Sequence, residues 1–215
     1  MAMTLYNAML SPYSSRVRIA IYARALDVEI RTVSEHFSFE ELEALSPLRK
    51  VPVLVHDGFV VPESAIILHY LDECFPDSAL MPKDIQARTT ARLLGRISDL
   101  YLMEPMGDLF AQINPLGRDA RLVSERLKDV NQAMRWLDGY LPDTGTYAVG
   151  DRLGYADAMV APVLFFANHL APMFGRDPKW PQAPRVERYF EAIAADESIA
   201  RVFAETEDAL KAMLG

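Results

Sequence analysis

Cysteine is almost absent: the 215 residues include one, Cys74. A single thiol excludes an intramolecular disulfide and a multi-cysteine zinc site, and no metal is implied. Long apolar runs are missing as well. No stretch approaches the roughly 18 apolar residues of a spanning helix. Residues 1–10 carry no basic region ahead of their apolar residues, so they do not read as a secretory leader. Positive charge is scarce too: 22 Lys and Arg stand against 30 Asp and Glu, a formal net charge of −8. Such a chain has no electrostatic footprint for nucleic acid or for an anionic membrane. A cytoplasmic protein is the expectation left. What is present is ordinary, 51% hydrophobic and 24% charged residues, in a chain long enough to bury a core.

Residues 1–75 read as α/β. Thr4–Ala8 is a strand candidate, and Ser11-Pro12 opens a helix, with serine fitting the cap and proline the first helical position. A second strand candidate is Val28–Val33, and Phe39–Leu45 is a short helix ended by Ser46-Pro47. Val51–His56 and Phe59–Val61 flank Asp57-Gly58, a strong signal for a type I′ hairpin. Pro62 is expected to stop the second strand, and Glu63-Ser64 to cap a helix carrying Ile66, Ile67, Tyr70 and Leu71. The order β-α-β-α-β-β-α implies helices on a small mixed sheet. Residues 76–84 read as a linker. Residues 85–215 read as all-helical: a long helix from Ile85 to Leu109, irregular near Pro105; an amphipathic one from Ala120 to Leu141; a buried, almost wholly apolar one from Tyr155 to Leu170; and two shorter ones, about 183–194 and 199–214.

Three local motifs then carry a resemblance that spans nearly the whole chain. Ser11-Pro12-Tyr13-Ser14-Ser15-Arg16-Val17-Arg18-Ile19-Ala20 resembles the serine-type active-site opening of the cytosolic glutathione transferases, nearest to the tau and zeta style. Lys50-Val51-Pro52-Val53-Leu54, followed by Pro62-Glu63-Ser64, is similar to their glutathione-binding segment. Gly150-Asp151-Arg152-Leu153-Gly154-Tyr155-Ala156-Asp157 resembles the capping motif of their buried helix. The resemblance implies an N-terminal thioredoxin-like domain (residues 1–75), a linker (76–84) and a C-terminal helical bundle domain (85–215). It also implies glutathione as co-substrate, a small hydrophobic electrophile as partner, and a homodimer.

The chemistry then needs a glutathione thiolate, since a free thiol has a pKa of about 8.5 and only the anion is a good nucleophile. By the resemblance Ser11 donates a hydrogen bond to that sulfur, with Ser14 the second choice and Ser15 a further rival; Ser11 reads equally as a plain helix cap. Pro52 would be cis, turning the Val51 backbone toward the cysteinyl part of glutathione; Val51-Pro52 also reads as an edge-strand start. Glu63 and Ser64 would meet the γ-glutamyl ammonium and carboxylate, or serve as a simple cap. Lys50 would meet the glycyl carboxylate or stand as a surface charge. Tau-style relatives have a second lysine where this chain has Phe37, so His36 is the substitute.

The electrophile pocket is expected between the domains, from Leu10, Pro12, Tyr101, Met106, Phe110, Phe166 and His169, although Met and aromatic residues at helical spacing also read as core. Asp157 reads as structural, bonding back to the start of its helix where Gly154 replaces the usual Ser or Thr. Cys74 reads as structural. The implied function is glutathione transfer. An isomerase, dehalogenase or ether-cleaving activity on the same site and a non-catalytic protein-binding regulator of the same fold are the alternatives. Pro12-Tyr13 stands where zeta members carry Ser-Cys, which weighs against that class.

Overall fold

The computed structural model describes residues 2–177 and 179–214. The chain divides into two compact units, Met1–Met81 with Asp196–Gly215, and Pro82–Ala195.

The first unit is built on a four-stranded sheet. β1 (Met3–Asn7) pairs in parallel with β2 (Glu29–Thr32) and antiparallel with β3 (Val53–His56), which pairs antiparallel with β4 (Phe59–Pro62). The spatial order is β2-β1-β3-β4. Parallel neighbours need a crossover, and α1 (Pro12–Ala23) supplies it. Successive side chains on a strand point to opposite faces, and the core divides accordingly. Leu5 and Leu54 join Val17 and Ile21 of α1 and Ile67 and Leu71 of α3 (Ser64–Cys74). Val53 joins Phe37 and Leu42, with Tyr6 and Val60 against them; Leu42 lies on α2 (Phe39–Leu45).

The hairpin turn is as expected. Asp57 and Gly58 both take positive φ, 48° and 85°, which a type I′ turn requires. Pro62 does not stop β4 before it, as the sequence suggested: it is the strand's last residue, opposite Val53. The segment expected as a linker contains a short 3₁₀ turn, Pro76–Ser78. It is tied down by Asp72, whose carboxylate accepts from the Leu80 and Met81 backbone N–H groups at 3.0 and 2.8 Å and pairs with Arg24 at 2.8 Å.

The second unit is helical: α4 (Ile85–Ile97), a π-helical stretch (Ser98–Met103), α5 (Glu104–Ala111), α6 (Ala120–Asp138), α7 (Tyr155–Met173) and α8 (Pro184–Ile193). The irregularity expected near Pro105 is the π stretch just before it. Pro105 itself sits in the first turn of α5, where a missing N–H costs little. Gly95 lets α4 approach α7, because a Cβ there would lie 3.3 Å from Met159 and Tyr155 side-chain atoms. Helix α7 is buried along most of its length, as its composition implied. The wholly buried Asp157 fixes its start: its carboxylate accepts from Gly154 N–H at 2.9 Å, Ala148 N–H at 2.8 Å and the Tyr189 hydroxyl at 2.9 Å.

The last helix, α9 (Glu197–Leu214), belongs to the first unit and packs on α1. The compact units thus differ at α9 from the expected helical domain of residues 85–215. The attachment is made by Glu205 and Thr206, which bond to Arg18 far away in sequence.

Candidate functional site

Strand register brings the glutathione-site candidates together. Asn7 pairs with Thr32, Tyr6 with Val53, and Val53 with Pro62. The C-terminal ends of β1, β2 and β4 and the N-terminal end of β3 thus share one end of the sheet. From that end emerge the loop to Ser11, the turn carrying His36, the approach through Lys50, Val51 and Pro52, and the Glu63-Ser64 corner. Strands lie about 4.8 Å apart, so β1 and β4 are separated by about 10 Å. An extended tripeptide has about that length. The N-termini of α1 and α3 open at this same end, each presenting roughly half a positive charge to an anion.

Ser11 is the N-cap of α1, and its Oγ accepts from the Ser14 N–H at 3.2 Å. It is partly exposed. A hydroxyl that accepts at a cap still has its own proton to give. Ser14 is different. It is wholly buried, and its Oγ accepts from the Ala8 N–H at 3.3 Å, which braces the loop before the helix. Ser15 is buried and donates to the Ser11 carbonyl at 3.1 Å.

The Val51–Pro52 peptide bond is cis, and Val51 stands just outside the ladder, which begins at Val53. Glu63 takes φ 70° at the N-cap of α3, a left-handed conformation that costs a non-glycine residue about 1–3 kcal/mol. Ser64 is buried as the first residue of the helix, so the cap position belongs to Glu63 and not to Ser64. Lys50 is exposed on the loop that enters β3. Phe37 packs in the core, edge-on to Tyr6 at 5.1 Å. His36 is exposed, and its Nδ1 accepts from the Thr32 N–H at 3.1 Å. In the neutral ring that leaves Nε2–H as a donor.

The expected electrophile residues divide. In the first unit, Leu10 is half-buried and Pro12 is buried at the start of α1. In the second, Met106 is wholly buried. Phe166 is also buried, edge-on to the partly exposed Phe110 at 6.1 Å and to Phe165 at 5.6 Å. His169 is exposed at the far end of α7, where its Nδ1 meets the Phe165 carbonyl at 2.8 Å. Tyr101 stands elsewhere. It is edge-on to Trp136 at 5.1 Å and lines, with Leu93, Ile97, Trp136 and Tyr140, an apolar cleft of about 290 Å³. Helical spacing let the Met and aromatic residues read as core but did not say which side of the face was filled.

One group was missed altogether. Arg18, which read as a charge interspersed in a helix, is wholly buried behind the Ser11 loop. Burial pulls its guanidinium below arginine's ordinary value, and the Glu205 carboxylate opposes that pull. Two of its partners, Glu205 and Thr206, come from α9, too distant in sequence for any local pattern to report. Among the described residues no group of three or more His, Cys, Asp or Glu side chains is placed to hold a metal ion. No helix among them is long and apolar enough to cross a membrane.

Comparison with known proteins bears on the same residues. Residues 5–79 match the family model for the glutathione S-transferase N-terminal domain, and residues 120–192 match that for the C-terminal domain. Glutathione S-transferase 1 of Dianthus caryophyllus is 36% identical over 169 residues, covering 74% of this chain and 75% of its own. Maleylacetoacetate isomerase of Rattus norvegicus is 34% identical over 167 residues, covering 74% of each. A glutathione S-transferase from Methylobacterium radiotolerans, solved in complex with glutathione sulfonate, superposes with a TM-score of 0.79 at 25% identity, covering 94% of this chain and 95% of that one.

Proposed function

The chain belongs to the glutathione S-transferase family, and from that premise we propose how its own residues carry the reaction. It is a glutathione transferase with glutathione as co-substrate. The tripeptide lies across the end of the sheet from β1 to β4. Its γ-glutamyl carboxylate meets Ser64 and the N-terminus of α3, and its ammonium meets Glu63. The cysteinyl backbone pairs with Val51 as an added strand, beside Pro52. The glycyl carboxylate is met by Lys50 and by Nε2–H of His36.

Ser11 holds the sulfur as an anion. Lowering a thiol pKa by two takes about 2.7 kcal/mol of preference for the thiolate. A hydrogen bond to a charged group supplies about 1.5–3 kcal/mol, and a helix N-terminus adds about 0.3–1 kcal/mol. The two together suffice without a base. Serine does not act as one, because its own proton is too tightly held. The thiolate attacks a carbon of a small hydrophobic electrophile; a C–S bond forms, and a leaving group departs or a proton adds. The observation that carries this reading is the split between the serines: Ser11 is partly exposed at the cap with a proton to donate, and Ser14 is buried with its oxygen turned to Ala8.

The rat relative's name favours a second reading on the same site. There the thiolate adds to a double bond, the bond rotates, and glutathione is expelled unchanged. Retention on immobilised glutathione, ultraviolet titration of the bound thiol and turnover across electrophile classes test both readings. Glutathione consumed one for one with product supports transfer, and glutathione recovered intact supports isomerisation. Failure to bind glutathione, with no displaced thiol titration, would sink both and leave the protein-binding regulator. A homodimer in the cytoplasm completes the proposal. Sedimentation at the mass of a single chain would contradict the dimer.

A further inference from the structure

The Ser11 loop is gripped from behind. The Arg18 Nη2 donates to the Met9 carbonyl at 3.2 Å, ahead of Ser11 in the chain. It also donates to Ser15 Oγ at 3.0 Å, and Ser15 Oγ donates in turn to the Ser11 carbonyl at 3.1 Å. The segment is therefore held on both sides by one guanidinium. Nη1 also reaches Met9 Sδ at 3.5 Å, and the same guanidinium bonds to α9: Nη1 to Glu205 Oε2 at 2.7 Å and Nη2 to Thr206 Oγ1 at 3.2 Å. Glu205 is itself fixed by the Tyr22 hydroxyl at 3.0 Å and by Arg201 Nε at 3.1 Å. Arg24 makes the contrast. It lies just past the end of the same helix and is likewise buried in an ion pair, but its bonds go to Ala20 and Asp72 and not to the Ser11 loop.

We propose that Arg18 is a positioning residue for Ser11, and that α9, through Glu205 and Thr206, sets the geometry in which the Ser11 hydroxyl meets the glutathione thiolate. The inference rests on Ser11 being the thiolate donor. A planar fork with donors on two nitrogens reaches both the Ser11 loop and α9, which an ammonium does not provide.

Geometry and charge predict opposite signs here. Glu205→Gln leaves Arg18 as an uncompensated cation, which by charge alone favours the thiolate and lowers the bound thiol pKa. A loosened Ser11 does the reverse and raises it. Thr206→Val removes one Arg18 contact with no change of charge. Both variants of the full-length protein are examined by thermal unfolding, ultraviolet titration of bound glutathione and steady-state kinetics. The expected result is a bound thiol pKa raised by about 0.5–1 in both variants, with kcat well below that pKa falling about 3–10-fold, while KM for glutathione stays within about twofold because none of its binding groups is touched. Lower unfolding temperatures with an unchanged thiol pKa would overturn the inference and leave a merely structural arginine. A thiol pKa lowered in Glu205→Gln would overturn it in favour of charge. If the unsubstituted protein bound no glutathione, the reading of the site would fall first, and the inference with it.

Discussion

On the proposed reading Ser11 has two jobs, and two substitutions separate them. Ser11→Ala removes a donor to the thiolate, a charge-assisted bond of about 1.5–3 kcal/mol. At 1.36 kcal/mol per pKa unit, the bound thiol should rise by about 1–2. Well below that pKa the thiolate fraction, and turnover with it, falls about 10–100-fold. Alanine also abandons the cap bond from Ser14 N–H at 3.2 Å, which costs about 1 kcal/mol of stability, whereas glycine at a cap costs only a few tenths. Ser11→Gly should therefore match Ser11→Ala in thiol pKa and turnover but unfold at higher denaturant. Ser14→Ala gives the control. It leaves the half-buried Ala8 N–H without its Ser14 acceptor and should lose about 1 kcal/mol of stability, while the bound thiol pKa rises less than in Ser11→Ala. The assays are urea unfolding, ultraviolet titration of the bound thiol and initial rates. Wild-type turnover in Ser11→Gly alongside slow turnover in Ser11→Ala would refute the donor role and leave only a cap. A thiol pKa raised as far by Ser14→Ala as by Ser11→Ala would refute the choice between the serines.

Removal of the glycyl-end groups acts on binding. Lys50→Ala and His36→Ala should each raise KM for glutathione about 3–10-fold with kcat unchanged, and steady-state kinetics with glutathione as the varied substrate reads this directly. Asp157→Ala removes the acceptor of two buried backbone N–H groups and of the Tyr189 hydroxyl; at about 1–3 kcal/mol per orphaned N–H it should cost about 2–6 kcal/mol by urea unfolding, with the turnover of the folded fraction intact. Asp72→Ala leaves Arg24 buried without its partner and frees the Leu80 and Met81 N–H groups, so a loss of about 3–5 kcal/mol is expected; Arg24→Met with Asp72→Leu should recover part of it.

Local features were legible because their causes are local. The Asp57-Gly58 turn needs two residues that tolerate positive φ, and the sequence supplies them side by side. The Ser11-Pro12 helix start and the Asp157 bond back to Gly154 are readable for the same reason: cap and partner lie within four residues. What stayed hidden was decided by neighbours distant in the chain. Nothing near Arg18 announces Glu205. Nothing in the apolar pattern of 101–110 tells that Met106 is sealed in the core while Tyr101 turns to Trp136. The π-helical stretch was visible only through Pro105, the residue that follows it. The amphipathic pattern of α9 does not say which unit it joins, and its bonds to Arg18 and Tyr22 hold it on α1.

Net charge shows the same division between count and placement. A chain of −8 should repel an anionic tripeptide, yet at about 0.1 M salt charges separated by more than about 10 Å are largely screened. The field at the end of the sheet is therefore set by the groups that open there. Two helix N-termini contribute about half a positive charge each, Lys50 adds a full one, and Glu63 subtracts one where, in the proposed pose, the ligand presents an ammonium. The chain is acidic as a whole, but the sheet register assembles a local cradle of the opposite sign, and no count of charged residues would have revealed it.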